Sequence, residues 1–198
     1  MNRFYMTVCT VAAPVIHLLF PVTVSGLENL PGEQGVVFCA NHASAWDPIL
    51  LCLALPRRMP IRIMAKKELM EKPLIGWFLK KLGAFGVDRG HSDLNAVKTA
   101  IQSVRNGGNL LVFPEGTRVE RAGQVRAKGG VVMIAMRTGA ALLPVYVGGK
   151  KRLFHRTHIV FGQPYHPVTA TRHGTAEEYQ AFADEILRRA YALSAQEE

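Results

Sequence analysis

The chain has 198 residues, 48% of them hydrophobic, with 24 Lys and Arg against 15 Asp and Glu for a formal charge of +9 and a pI near 9.8. This is one domain with enough apolar residue to bury a core, and its basicity calls for an anionic partner: nucleic acid, an anionic membrane surface or a phosphorylated substrate. Aromatic residues are not interleaved with the basic clusters as a stacking nucleic-acid platform needs, which excludes nucleic acid, and a mean hydropathy of +0.09 tilts the choice toward a membrane.

Phe4 to Phe20 is apolar apart from Thr7, Thr10 and His17, and Pro14 interrupts it. About 17 residues is the lower limit for spanning a bilayer, so an interfacial or half-inserted helix is expected ahead of a full span or a buried core helix. Arg3 gives a basic start, but no small-x-small cleavage site follows, so a signal peptide is not expected. The chain is expected to divide into a membrane-associating helix over residues 1–21 and a main α/β domain over 22–198. The three cysteines, Cys9, Cys39 and Cys52, form no C-x-x-C pair and read as small hydrophobes in a reducing compartment.

Val22–Ser25 alternates like a short strand, and Glu28–Gly32 turns the chain into the apolar run Val36–Ala40, a buried strand by length and β-branched content. Directly after it stands His42, five residues before Asp47 and Pro48. Asp47 begins a helix by its Pro and the apolar run that follows. Residues five apart on one ideal helix point away from each other. The pair therefore makes chemical sense where His42 ends the strand and the loop 43–46 folds back, setting the Asp47 carboxylate against the imidazole. A carboxylate on one ring nitrogen leaves the other to take a proton from a hydroxyl. The bland alternative makes Asp47 only a helix cap and His42 a satisfied loop residue.

Ile61–Ala65 predicts a further strand. Pro73–Leu82 predicts a helix that is apolar almost all round, with Trp77 within it and Lys80-Lys81 at its end, a composition suited to a membrane interface or a core. A short strand lies in Gly83–Gly90. A helix from Asp93 carries Leu94, Val97, Ile101 and Val104 on one face and stops at Gly107-Gly108. The apolar strand Leu110–Phe113 runs straight into Pro114-Glu115-Gly116-Thr117-Arg118. A helix from about Lys128 to Thr138, strands at Ala141–Val147 and His158–Phe161, and a helix opened by the capping box Thr175–Glu178 complete the chain. This order predicts a single α/β domain with a mixed, largely parallel sheet flanked by helices. Ligands of such sheets bind beyond the carboxyl ends of the strands. If the strands before His42 and Glu115 are parallel neighbours, both motifs face one crevice, where the backbone of Gly116, the Thr117 hydroxyl and the Arg118 guanidinium can hold a phosphate.

Asn41-His42…Asp47, Gly83-x-Phe85…Arg89, Phe113-Pro114-Glu115-Gly116-Thr117-Arg118 and Leu143-Pro144-Val145 follow the order and spacing of the glycerolipid acyltransferase motifs. Ala65–Leu69 and Lys128-Gly129-Gly130 also match that pattern. From about Val22 to Gly162 the chain resembles the 1-acylglycerol-3-phosphate (lysophosphatidate) acyltransferases. The resemblance implies acyl transfer from acyl-CoA or acyl carrier protein to the free hydroxyl of lysophosphatidate, with the thioester as co-substrate and no cofactor or metal. It implies His42 as general base, Asp47 as its orienting partner, and Glu115, Gly116, Thr117 and Arg118 positioning the acceptor, with Arg89 on its phosphate. Apart from the resemblance, Lys66 is a further charge available to bind the substrate. A peripheral or monotopic seat on the cytoplasmic face of the cell membrane is expected, with Arg57-Arg58, Lys80-Lys81 and Lys150-Lys151-Arg152 near anionic headgroups.

Other readings have less to stand on. His155, His158, His166 and His173 are irregularly spaced for a metal site. Ser44 invites a Ser–His–Asp hydrolase, but no G-x-S-x-G elbow is present. A non-catalytic lipid-binding module has no use for an oriented base, and acylation of another lysolipid or of glycerol 3-phosphate is the runner-up.

Overall fold

Strand β2, Val37–Ala40, is buried along its whole length and lies at the middle of a seven-stranded sheet. Its neighbours are β5, Asn109–Val112, and β6, Leu142–Val147, both parallel to it. Beyond β5 come β3, Ile61–Lys66, and the edge strand β4, Phe85–Val87; beyond β6 come β7, Thr157–Phe161, and the other edge strand β1, Val22–Ser25. Every pairing is parallel except β6 with β7. The computed structural model describes residues 3–32, 35–57, 59–88, 93–148, 151–169 and 174–196.

A strand's side chains alternate between faces, and β2 uses both. Phe38 and Ala40 join a core cluster with Leu50, Leu51, Leu111 and Phe161. This layer includes α2, Asp47–Ala54, and the end of α1, Arg3–Leu19. Val37 and Cys39 join the opposite cluster, which packs α5, Leu94–Arg105, α6, Gly130–Thr138, and α7, Ala176–Ala192. Burying one such side chain contributes about 1.5–3 kcal/mol, so a strand apolar on both faces has its strongest position at the sheet centre.

The helices follow their expected signals. Asp93 caps α5 by accepting from the Ala96 N–H, and Thr175 and Glu178 form the reciprocal capping box of α7. Helix α6 begins at Gly130 rather than Lys128, and the Lys128 N–H just before it is satisfied by the Pro114 carbonyl at 2.8 Å. Beyond β3 lie the short α3, Lys67–Met70, and α4, Pro73–Lys81.

Helix α1 continues through Pro14. Its inner side is part of the domain: Tyr5 is buried, Ile16 and Leu19 pack on the core, and Phe20 just beyond the helix is buried too. Phe4 sets its ring edge-on to Trp77 and Phe78 of α4, at 6.1 and 6.0 Å between centroids. Val11, Val15 and Leu18 face outward, 71%, 59% and 69% exposed. Among the described residues no helix is long and apolar enough to cross a membrane.

Candidate active site

The register of β2 and β5 pairs Cys39 with Val112. Three residues on from each partner stand His42 and Glu115, so two parallel neighbours deliver both motifs to one place. The His42 N–H donates to Glu115 Oε2 at 2.7 Å, closing the two loops on each other. Asn41 extends the sheet on the other side. Its side-chain amide donates to the Val147 carbonyl at 3.0 Å and accepts from the Val147 N–H at 2.7 Å, as a backbone amide would.

Loop 43–46 folds back as its spacing required. His42 Nδ1 lies 3.0 Å from Asp47 Oδ2. A carboxylate can only accept in this contact, so Nδ1 carries a proton, and in the neutral ring Nε2 then keeps its lone pair. The same Oδ2 accepts from the N–H groups of Ala43 and Ser44 at 2.8 and 2.7 Å. Asp47 does start α2, but its side chain makes no cap on that helix; it turns back toward the loop. Ser44 directs its hydroxyl at the Trp46 N–H, 3.3 Å away, within its own turn, which gives the Ser–His–Asp reading no support. The imidazole stacks on Phe113 at 4.0 Å between centroids and 22° between planes. That contact fixes the ring from its face, while Asp47 fixes it from its edge.

Asp47 is fully buried. Burial alone pushes its carboxyl up, but the His42 hydrogen bond, the Lys151 ammonium and the Ser44 N–H outweigh that and hold it below the usual carboxylate range. Lys151 Nζ stands 3.0 Å from Asp47 Oδ1, with the lysine side chain only 1% exposed. The approach is a charge contact rather than an aligned hydrogen bond. The same ammonium donates to the Gly148 carbonyl. Lys151 is therefore not a lipid-facing charge, as its basic neighbours in sequence suggest; its ammonium is sealed inside the site.

Glu115 is 3% exposed. Its second oxygen, Oε1, accepts from the Tyr191 hydroxyl of α7 at 2.5 Å. Burial raises its carboxyl above the ordinary value despite the hydrogen bonds from Tyr191 and the His42 N–H. Its carboxylate is thus engaged inward, bracing the loop, and Gly116, Thr117 and Arg118 carry the chain out to the surface. Gly116 has φ of +69°, and a Cβ there would meet Lys128 Cε at 2.6 Å, so glycine serves both the turn and the close passage of that side chain. Thr117 and Arg118 are exposed. Lys66 ends β3, two strands from β2, and pairs with Glu68 at 2.9 Å. Arg89 lies outside the described residues.

Phe113 also lines a cavity of about 580 Å³ whose walls include Met64, Val97, Val112, Met133 and Ile134. Among the described residues no group of three or more His, Cys, Asp or Glu is arranged to hold a metal ion.

An oriented imidazole stands at the parallel ends of β2 and β5, braced by the glutamate of the second motif, an arrangement chemically able to take a proton from a hydroxyl. The sequence profile of the Acyltransferase family matches residues 21–148. The chain belongs to that family. Similarity to individual members runs beyond the matched segment. The 1-acyl-sn-glycerol-3-phosphate acyltransferase of Bacillus subtilis is 33% identical over 182 residues, 88% of this chain and 89% of that one. A lyso-ornithine lipid O-acyltransferase of Pseudomonas aeruginosa is 33% identical over 135 residues, 68% of this chain and 50% of its own. The crystal structure of the 1-acyl-sn-glycerophosphate acyltransferase of Thermotoga maritima superposes with a TM-score of 0.67 at 27% identity, covering 98% of this chain and 78% of that one.

The acyltransferase keeps three site contacts that no motif announced. Lys151 sat unmarked within a basic cluster, and Tyr191 was one aromatic of a C-terminal helix. Asn41 belonged to the recognised motif, but its grip on Val147 depends on β6 lying beside β2.

Proposed function

We propose that this acyltransferase moves an acyl group from an acyl-CoA or acyl carrier protein thioester to the free sn-2 hydroxyl of 1-acylglycerol 3-phosphate, forming phosphatidic acid. The observation that carries the reading is the 3.0 Å contact between His42 Nδ1 and Asp47 Oδ2, in a member of a family whose relatives at 33% identity include an acyltransferase for this acceptor. Nε2 of His42 takes the proton of the acceptor hydroxyl as its oxygen attacks the thioester carbonyl. The tetrahedral intermediate expels the thiolate, and the imidazolium returns the proton to the departing sulfur. A thioester is already activated, so no enzyme nucleophile is needed; the base supplies a factor of about 10²–10⁴. Asp47 holds the ring in the productive tautomer throughout.

Thr117 and Arg118 are assigned to the acceptor phosphate with the Gly116 backbone, and Arg89 and Lys66 are further cations for it. Glu115 acts through the loop it braces. The cavity lined by Phe113 suits an acyl chain, since that ring is shared between the cavity wall and the His42 stack. The outward row Val11, Val15 and Leu18 with exposed Leu74 and Trp77 of α4 supports a peripheral seat on the cytoplasmic face of an anionic membrane, where apolar area and nearby basic residues act together.

The test is product analysis by thin-layer chromatography with radiolabelled acyl-CoA and acyl carrier protein. The panel holds lysophosphatidate, glycerol 3-phosphate, other lysophospholipids and a lyso-ornithine lipid. Phosphatidic acid as the dominant product, absent with His42→Ala, is expected. The lyso-ornithine acceptor belongs in the panel because a relative of equal identity is named for it; preferential use of that lipid would replace the lysophosphatidate reading.

A further inference from the structure

The His42–Asp47 pair has a third charged neighbour. Lys151 follows β6 on a segment 104 positions after Asp47, and its side chain is 1% exposed with Nζ 3.0 Å from Asp47 Oδ1. A solvated lysine carries a long flexible stem and a strongly hydrated head, and removing that head from water is costly unless a charge or acceptor replaces the water. Here both replacements are present: the Asp47 carboxylate and the Gly148 carbonyl. The carboxylate is then shared between two cations-to-be. One oxygen serves the imidazole and two backbone N–H groups; the other serves the ammonium.

We propose that Lys151 is a positioning residue of the catalytic pair, its ammonium locking the Asp47 carboxylate with Oδ2 toward His42 and opposing the field of that carboxylate at the ring. This rests on the reading of His42 as general base. An aspartate alone beside the ring stabilises imidazolium and moves base catalysis to higher pH. A second, positive neighbour opposes that field. Geometry follows too. Oδ1 held by Lys151 leaves Oδ2 as the oxygen facing Nδ1, and the carboxylate cannot rotate away without breaking both contacts.

Further titratable groups near the pair stand among the described residues. Glu115, after β5, accepts from the His42 N–H; Tyr191 of α7 donates to Glu115; and Tyr146 of β6 lies close enough to Tyr191 to interact with it electrostatically. Lys151 is the cation on Asp47.

The experiment compares the full chain with Lys151→Met, Lys151→Gln and Lys151→Arg, measuring kcat against pH, the Michaelis constants for acceptor and thioester, and the melting midpoint. Without the ammonium, kcat falls, the Michaelis constants change little, and the acid limb of the kcat profile moves up by about one pH unit. Lys151→Arg, which keeps the charge, holds the limb near the wild-type position. A residue that only supports the fold lowers the melting midpoint and the active fraction but leaves the limb where it was. An unmoved limb in Lys151→Met overturns the proposal. If that variant does not fold, Lys151→Gln decides, since it retains a donor for Asp47 without the charge. His42→Ala separates the two readings: near-normal turnover there removes the base itself, whereas an inactive His42→Ala with an unmoved limb in the lysine variants removes only the role of Lys151.

Discussion

The Tyr191 hydroxyl donates to Glu115 Oε1 at 2.5 Å across 76 positions of sequence. Tyr191 lies in the last turn of α7, outside the segment that matches the family profile. A helix added after the catalytic core thus reaches back to brace the loop carrying Gly116, Thr117 and Arg118. Because Glu115 also accepts from the His42 N–H, α7 is coupled to the base through one carboxylate.

Removing that hydroxyl leaves a buried carboxylate oxygen unpaired, which costs about 1–3 kcal/mol. Tyr191→Phe is therefore expected to melt lower and turn over more slowly while still folding. The sign of the pH dependence follows from the raised Glu115 carboxyl. The stability linked to its protonated form is complete below the unfolded value near 4.3 and is lost as pH rises through the folded value. Tyr191 favours the ionised form, so the gap between variant and wild type should widen from pH 4 toward neutrality. Melting curves of both proteins over that range check it; a gap that narrows with rising pH contradicts the assignment.

His42→Ala should abolish acyl transfer with the fold retained. The imidazole contacts Phe113 and Asp47 beyond the end of β2 and is not a member of either apolar cluster, so its loss is chemical rather than structural. Circular dichroism with a turnover assay of the purified variant shows whether a loss of at least about 10²-fold accompanies an intact fold.

Asp47→Asn should be the more damaging change to stability, because it leaves the Lys151 ammonium buried without its countercharge. Breaking a buried pair from one side costs about 3–5 kcal/mol, and removing both charges together costs less. Asp47→Asn/Lys151→Met is accordingly expected to be more stable than Asp47→Asn. The Asp47 carboxyl is held below its ordinary value, so its contribution is present above the unfolded value near 3.9 and lost as pH falls through the folded one. The difference between wild type and Asp47→Asn should shrink in that acidic window, read by denaturant unfolding at pH 7 and below 4.

Arg118→Lys keeps a charge but loses the planar fork that matches a phosphate. The Michaelis constant for lysophosphatidate should rise about tenfold, with that for the thioester nearly unchanged. Varying each substrate in turn measures both; equal effects remove Arg118 from the acceptor site.

Membrane attachment is better probed on the outer face of α1 than by deleting it, since Tyr5 and Phe20 belong to the buried interior. Val11→Ser, Val15→Ser and Leu18→Ser together should leave the domain folded and weaken binding to anionic vesicles. The remaining attachment should be salt-sensitive. Flotation at low and high salt reports it, and unchanged binding at high salt would transfer the seat to Leu74 and Trp77.

The amino-acid sequence by itself determined where the strands and helices lie, because apolar runs, proline starts, glycine stops and the Thr175–Glu178 box are local signals. It made the meeting of His42 and Asp47 an expectation, since only a short loop separates them, and the 3.0 Å contact sets aside the reading of Asp47 as a mere cap. Only the tertiary structure decided the order of the strands, the reversal of β7 against β6, and the partners that this order delivers. Asn41 grips Val147 across 106 positions and Lys151 reaches Asp47 across 104 because β6 lies beside β2. Lys151 stands next to Lys150 and Arg152, and such a cluster reads as solvated charge. Local composition records which charges a segment carries; whether one of them loses its water depends on what the rest of the chain packs around it.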